Sequence, residues 1–287
     1  MKTDFPNITI LGGGLLGGSL ALALAALPNP PKVWLWARKP ETVAAAQKIG
    51  ISHATGDLAE AVKDADLIIL AVPVGAMAAL ITAALEVGLI DTCLITDVGS
   101  VKQGPHLQIS PLLVGRPIHF VGSHPMAGSE RNGLSASAAN LFENAACLLT
   151  NDDAAPPRQT AALERFWQAV GCRTSWLDAA AHDELVARIS HLPHLIAASA
   201  ARVCLQDPEL GCFGGGGLRD TTRVAAGNPS MWAEIVTENR EALIGPLQET
   251  ITDLCEILAS LQNGNQEQAR HWLSIAKQRR DLLNLPQ

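Results

Sequence analysis

NITILGGGLLGGSLALALAAL, residues 7–27, carries the decision about the fold. It opens as an apolar, β-branched run, passes through glycines, and continues as small and apolar residues, which reads as a buried strand, a tight turn and a helix. Within the turn, Gly12, Gly14 and Gly17 have the spacing G-x-G-x-x-G. Each has its own task in a dinucleotide-binding βα unit: Gly12 permits the sharp turn, Gly14 lets the backbone approach a pyrophosphate, and Gly17 permits close packing of helix on strand. The N–H groups of the first helical turn face the same point, so Leu15 and Leu16 join the glycines as candidate cofactor-binding positions.

Outward from this unit the same alternation repeats. VWLW (33–36), DLIILAV (66–72) and TCLITDV (92–98) read as buried strands, with a helical pattern over 40–49 that starts at a proline. Strand and helix in alternation predict an α/β fold with a doubly wound parallel sheet of the Rossmann type. After IHFVGSHP (118–125) the pattern loosens into a polar loop, GSERNGLSAS (128–137). A strand near 145–150, a helix over 158–170 and a strand over 174–177 then extend the sheet. Beyond residue 178 the pattern is helical, over 182–206, 229–245, 246–262 and 266–283, with the turn-rich DPELGCFGGGG between the first two. The expected organisation is a dinucleotide-binding domain over 1–177 and an all-α substrate and dimerisation domain over 178–287. Helices that cannot all bury their apolar faces in so short a segment are expected to share them across a two-fold axis, giving a homodimer.

Composition removes several classes of function. The chain has no tyrosine, which excludes dehydrogenases that rely on a Tyr-Lys pair or a tyrosine proton donor. A net charge of -7 argues against a nucleic-acid or anionic-membrane partner. The apolar run over 15–27 is too short and too glycine-rich to span a bilayer and lacks the basic flank of a signal peptide, so a cytoplasmic protein is expected. Six cysteines without a C-x-x-C pair read as reduced, buried structural thiols.

The second strand should end in an acidic residue if the cofactor is NAD, because a carboxylate accepts from the ribose 2′-hydroxyl. Ala37-Arg38-Lys39 stands there instead. With no acid to repel a 2′-phosphate and two cations to hold it, Arg38 and Lys39 favour NADP, with NAD possible; the plainer alternative is a pair of solvated cations. AVPVGA (71–76) is a strand end of the kind that passes a nicotinamide ribose, making Val72 and Pro73 candidate contacts.

DVGSVKQ (97–103), GSHPMAGSE (122–130), Asp183, ISHLPH (189–194), LRDTTR (218–223) and NPSMW (228–232) together resemble one family, the prephenate/arogenate dehydrogenases of tyrosine biosynthesis. The resemblance runs over nearly the whole chain. It implies oxidative decarboxylation of a cyclohexadienol by NAD(P): the C4 hydroxyl gives up its proton, C4 gives up hydride, and the ring carboxylate leaves as CO2. It also implies His124 as general base, with Ser100 beside it at the substrate hydroxyl; an unperturbed imidazole, titrating near pH ~6.5, could take that proton.

By the same resemblance Arg223 holds a substrate carboxylate, with Asp220 three residues before it placed to orient it. His191 lies near the substrate's side-chain end, Glu130 is an acid at the cleft, and Trp232 is an aromatic that reaches the cleft or simply packs. His194 reads as structural. Lys102 reads as a source of positive potential or, more plainly, as a solvated cation. His182, Asp183, His191 and His194 lack zinc-like spacing, and hydride transfer needs no metal. No regulatory or mutase domain is expected at either end. Prephenate is the expected substrate and arogenate the alternative. A β-hydroxyacid dehydrogenase or pyrroline-carboxylate reductase, and a nicotinamide-binding sensor without chemistry, are remoter readings.

Overall fold

The computed structural model describes residues 3–128 and 133–284. The first half alternates as expected. β1 (Asn7–Leu11), α1 (Leu15–Ala25), β2 (Lys32–Trp36), α2 (Pro40–Lys48), β3 (Ala54–Thr55), α3 (Leu58–Val62), β4 (Leu67–Leu70), α4 (Val74–Glu86), β5 (Leu94–Asp97), α5 (Gln103–Leu113) and β6 (His119–Phe120) build a sheet. Its six strands are all parallel and run β3-β2-β1-β4-β5-β6, the Rossmann order, whose crossover reverses between β1 and β4. Successive residues of β4 and β5 enter different apolar clusters: Leu67, Ile69 and Leu94 pack in one, Ile68, Leu70 and Ile95 in the other. Burial on both faces explains why LIIL carries no polar alternation.

Three departures from the sequence reading occur here. The two-residue β3 is too short to show a pattern. The segment 118–125 holds two strands that the sequence did not distinguish: β6 closes the parallel sheet, and after Val121 the chain enters β7 (Gly122–Pro125) in a second sheet. With β8 (Ala146–Thr150), α6 (Pro157–Ala169) and β9 (Arg173–Leu177) this second sheet is complete, three strands in the order β7-β8-β9 with β7 antiparallel to β8. β8 and β9 therefore do not extend the first sheet.

From residue 178 onward the described elements are helical. α7 (Ala179–Val186), capped by the Asp178 carboxylate, runs through a π turn (Ala187–His191) into α8 (Leu192–Cys204). Pro193 explains the wide turn, since its ring supplies no N–H and crowds the preceding turn. The segment expected to be all turn contains a 3-10 helix (Pro208–Phe213) and then α9 (Gly216–Thr222), followed by a 3-10 turn (Arg223–Ala226) and α10 (Pro229–Glu238). α11 (Arg240–Gln262) passes straight through Pro246, where a break was expected; the break falls at Asn239 instead. α12 (Gln266–Asp281) follows.

By compactness the chain divides into Met1–Asn239 and Arg240–Gln287. In the second unit α11 and α12 are joined by a hydrogen bond from Trp272 Nε1 to Asp253 Oδ1 at 3.1 Å. Three of the six cysteines, Cys204, Cys212 and Cys255, are exposed rather than buried, because each lies on an outward helical position of the second half.

Candidate active site

At the switch point between β1 and β4 the glycines divide the work by what surrounds them. Gly12 has φ +130°, and a Cβ there would stand 2.2 Å from the carbonyl oxygen of Ala71 at the end of β4. A Cβ on Gly17 would meet the Gly12 carbonyl oxygen at 2.0 Å. Gly14 is different: a Cβ would meet nothing within 4 Å, so the space above this turn is open. α1 starts there with Gly14 as N-cap, and among the described residues no side chain caps its first N–H groups, those of Leu15, Leu16 and Gly17. An open cradle over an uncapped helix N-terminus, at the switch point of a Rossmann sheet, fits a dinucleotide pyrophosphate. Gly18 was not singled out from sequence, yet a Cβ there would meet Ser137 Oγ at 2.3 Å, so it too must remain small.

Arg38 and Lys39 are exposed at the end of β2, the strand beside β1. Val72 and Pro73 follow β4, where α4 begins. The Glu234 carboxylate of α10, 159 residues away in sequence, accepts from the Gly75 N–H at 2.8 Å and so ties the helical half to this turn. No local signal marks such a long-range cap.

His124 sits on β7, its neighbour Ser123 facing the opposite way. The Ser123 hydroxyl is held by Trp167 Nε1 (2.9 Å) and Thr96 Oγ1 (2.7 Å). His124 Nδ1 lies 3.0 Å from His182 Nε2, and His182 Nδ1 lies 2.8 Å from Asp183 Oδ1. Asp183 also accepts the backbone N–H of Lys102 at 2.7 Å and of Gln103 at 2.9 Å. Burial works to raise the Asp183 pKa, but His182 and these two amides outweigh it and hold the carboxyl below its usual value.

An ionised Asp183 can only accept, so His182 donates from Nδ1. Neutral His182 then accepts at Nε2, and His124 must donate from Nδ1, leaving its own Nε2 as a bare lone pair. The pattern prepares one nitrogen of His124 to take a proton. Burial, followed by the charges of Lys102, His182 and His191, holds the His124 pKa well below the ordinary histidine value, so the unperturbed titration expected from sequence does not apply. Burial likewise lowers His182, against the pull of Asp183.

Lys102 is not solvated: it is fully buried and its Nζ pairs with Asp97, at side-chain exposures of 0% for both. Nζ also donates to the carbonyls of Gly99 (2.9 Å) and Val101 (3.1 Å), while Asp97 accepts from Gly99 N (2.8 Å) and Ser123 N (3.0 Å). The turn that carries half-buried Ser100 is thus stitched to the strand that carries His124. Sequence offered no means of telling this lysine from a surface one, because Asp97 and Lys102 close their pair through a turn rather than along one helix face.

His191, in the π turn, is buried, and its Nδ1 lies 3.0 Å from Asn239 Nδ2. Trp232 stacks on His194 with ring centroids 3.5 Å apart and makes a T-shaped contact with His191 at 6.1 Å, so within this chain it packs among the histidines. Arg223 is exposed on the 3-10 turn after α9, and Asp220 is exposed one helical turn before it. Glu130 lies outside the described residues.

Two family models match the chain: prephenate dehydrogenase, nucleotide-binding domain, over residues 20–176, and prephenate dehydrogenase, dimerization domain, over 178–275. The chain belongs to the prephenate dehydrogenase family. A cyclohexadienyl dehydrogenase of Zymomonas mobilis is 35% identical over 267 residues, covering 90% of this chain and 89% of that protein. Among solved structures, the Aquifex aeolicus prephenate dehydrogenase in complex with hydroxyphenyl propionate and NAD+ superposes with a TM-score of 0.89 at 28% identity, over 99% of this chain and 100% of that one. Synechocystis arogenate dehydrogenase gives 0.78 at 29% identity, over 96% and 99%. As a prephenate dehydrogenase family member the chain is a nicotinamide-dependent oxidoreductase, and its buried histidine chain stands within the stretch that the nucleotide-binding and dimerization models divide between them.

Proposed function

We propose that this chain is a prephenate dehydrogenase that oxidatively decarboxylates prephenate to 4-hydroxyphenylpyruvate, releasing CO2. The observation that carries the reading is the His124–His182–Asp183 chain, which leaves one imidazole nitrogen bare, neutral and backed by a carboxylate. When bound, the dinucleotide supplies the hydride acceptor. Gly12, Gly14, Leu15, Leu16 and Gly17 hold its pyrophosphate, and Val72 and Pro73 flank its nicotinamide end. His124 Nε2 takes the proton of the C4 hydroxyl, positioned with help from Ser100. The positive charge that develops on His124 is stabilised through His182 by Asp183, which stays ionised.

Arg223, oriented by Asp220, anchors a substrate carboxylate, and His191 and Trp232 line the side-chain end. Once hydride has left C4 with its electron pair, the electrons of the breaking bond to the ring carboxylate complete the aromatic ring as CO2 leaves, so the protein itself has to supply only a base, an anchor and a dry site. The domain boundary at 177/178, the cytoplasmic location and the homodimer belong to the same reading. An exposed apolar stripe at helical spacing on α11, Ile244, Ile251, Leu254, Leu258 and Leu261, supports the homodimer. NADP rather than NAD is the favoured cofactor on the strength of Arg38 and Lys39, although the Aquifex relative was solved with NAD+.

Purified protein given prephenate or arogenate, each with NAD and with NADP, tests the function by the absorbance of reduced cofactor; activity on neither substrate overturns it. Arg223→Ala tests the anchor. An interaction present in ground and transition states alike mainly raises KM, here by roughly 10- to 150-fold, with kcat changing less.

A further inference from the structure

Asn239 takes no part in the chemistry described above, yet it is 2% exposed and stands between two of the site's elements. Its Nδ2 lies 2.9 Å from the backbone carbonyl oxygen of Asp183 and 3.0 Å from His191 Nδ1. A carbonyl oxygen only accepts, so the amide must present its NH2 end to it; turned round, two oxygens would face each other. The second N–H of the same group points to His191 Nδ1, which must therefore be the accepting nitrogen. Neutral His191 then carries its proton on Nε2.

That Nε2 is buried and has no hydrogen-bond partner among the described residues. A buried donor left unpaired is costly, and in a catalytic cleft it marks the place of a ligand acceptor. Burial keeps His191 neutral, its pKa pushed down to about 4. Trp232, itself stacked on His194, stands roughly perpendicular to the His191 ring with centroids 6.1 Å apart.

We propose that Asn239 is a positioning residue that locks His191 as an Nε2–H donor, and that this donor selects a substrate whose side chain offers an oxygen acceptor over one that offers an ammonium. The inference rests on the proposed function for its substrate, since the 2-oxo and 2-amino acids of that reaction differ at this group. An oxo or carboxylate oxygen accepts the Nε2–H. An ammonium has only donors, and set against a neutral N–H it would leave both groups unpaired.

Two measurements test it. In protein labelled with 15N-histidine, His191 is assigned by its loss in His191→Gln; a protonated Nε2 and an unprotonated Nδ1 are expected. An Nδ1-protonated ring overturns the proposal without any assay of activity. Asn239→Asp replaces the donor by an acceptor, so the tautomer should reverse or the ring become charged. KM for prephenate should then rise about 10-fold, that for arogenate much less, with kcat changing little in both. Equal losses on the two substrates, or none, overturn the selecting role. Asn239→Ala, which removes the donor without introducing a charge, should show the same ordering of substrates if the aspartate variant does not fold. An enzyme inactive on both substrates sinks the functional reading instead, and the NMR tautomer still decides the lock.

Discussion

The two ends of the proposed reaction path are built from different materials. At the β1–α1 turn the binding surface is backbone: glycines, an uncapped helix N-terminus and a strand end. At β7 it is side chains: three histidines, two carboxylates, a lysine and an amide, gathered from segments near residues 97–102, 124, 182–191 and 239. A backbone site is specified by what residues leave out, so its glycines must lie close in sequence. A side-chain site is specified by what distant residues bring, and the fold alone decides which of them meet.

The contrast can be broken from either end. His124→Asn should reduce kcat by 10²-fold or more, with KM for substrate nearly kept, because Asn retains a hydrogen-bonding end without basicity. In wild-type enzyme the acid limb of the kcat/KM profile should lie below the ordinary histidine range, since the folded protein holds His124 neutral until the pH falls through its lowered pKa. Near-normal turnover in the variant would remove the base from this end altogether.

Gly14→Ala attacks the other end. The added methyl meets no protein atom, so thermal stability should be unchanged while KM for the cofactor rises roughly 10- to 100-fold. Gly17→Ala should lose stability as well, because its methyl would collide with the Gly12 carbonyl. Equal melting temperatures for the two variants would show that the glycines do not divide their tasks.

Asp183→Asn sharpens the comparison. Removing the charge that stabilises protonated His182 and, through it, His124 should lower kcat about 10-fold and move the acid limb to lower pH, leaving cofactor KM unaffected. A loss confined to KM would assign Asp183 to binding. The smallest expected effect is that of Arg38→Ala, which should shift the NADP-to-NAD ratio of kcat/KM towards NAD by a few-fold to about tenfold. No shift would leave Arg38 a solvated cation.

The legibility of the molecule follows the same division. The parallel sheet could be read because its strands are buried on both faces and its glycine turn is contiguous. His124 and Arg223 were reached only through the resemblance of SHPMAG and RDTTR to a family. Nothing local told Lys102 from a surface lysine. His182 and Asp183 are adjacent in sequence, so helical periodicity puts them on no common face, and only the position of β7 makes them consecutive links. Asn239 ends a helix, where asparagine is ordinary. Pro246 misled in the other direction, because a proline normally breaks a helix whereas α11 passes through it.

Val121 is the only residue between β6 and β7, and its N–H donates to the carbonyl of Ile95 at 2.9 Å, inside the nucleotide sheet. The strand that bears the proposed base therefore continues directly from the edge of the sheet that carries the glycine turn. Such a joint works as a ruler. Whatever motion admits prephenate or releases product, the spacing from β7 to the end of β4 is set once, at folding, and does not have to be found again at each turnover. The tolerances of the enzyme are then unequally shared: an insertion of a single residue at position 121 should harm catalysis more than a longer insertion in the stretch 128–137, which the sequence reads as a polar loop.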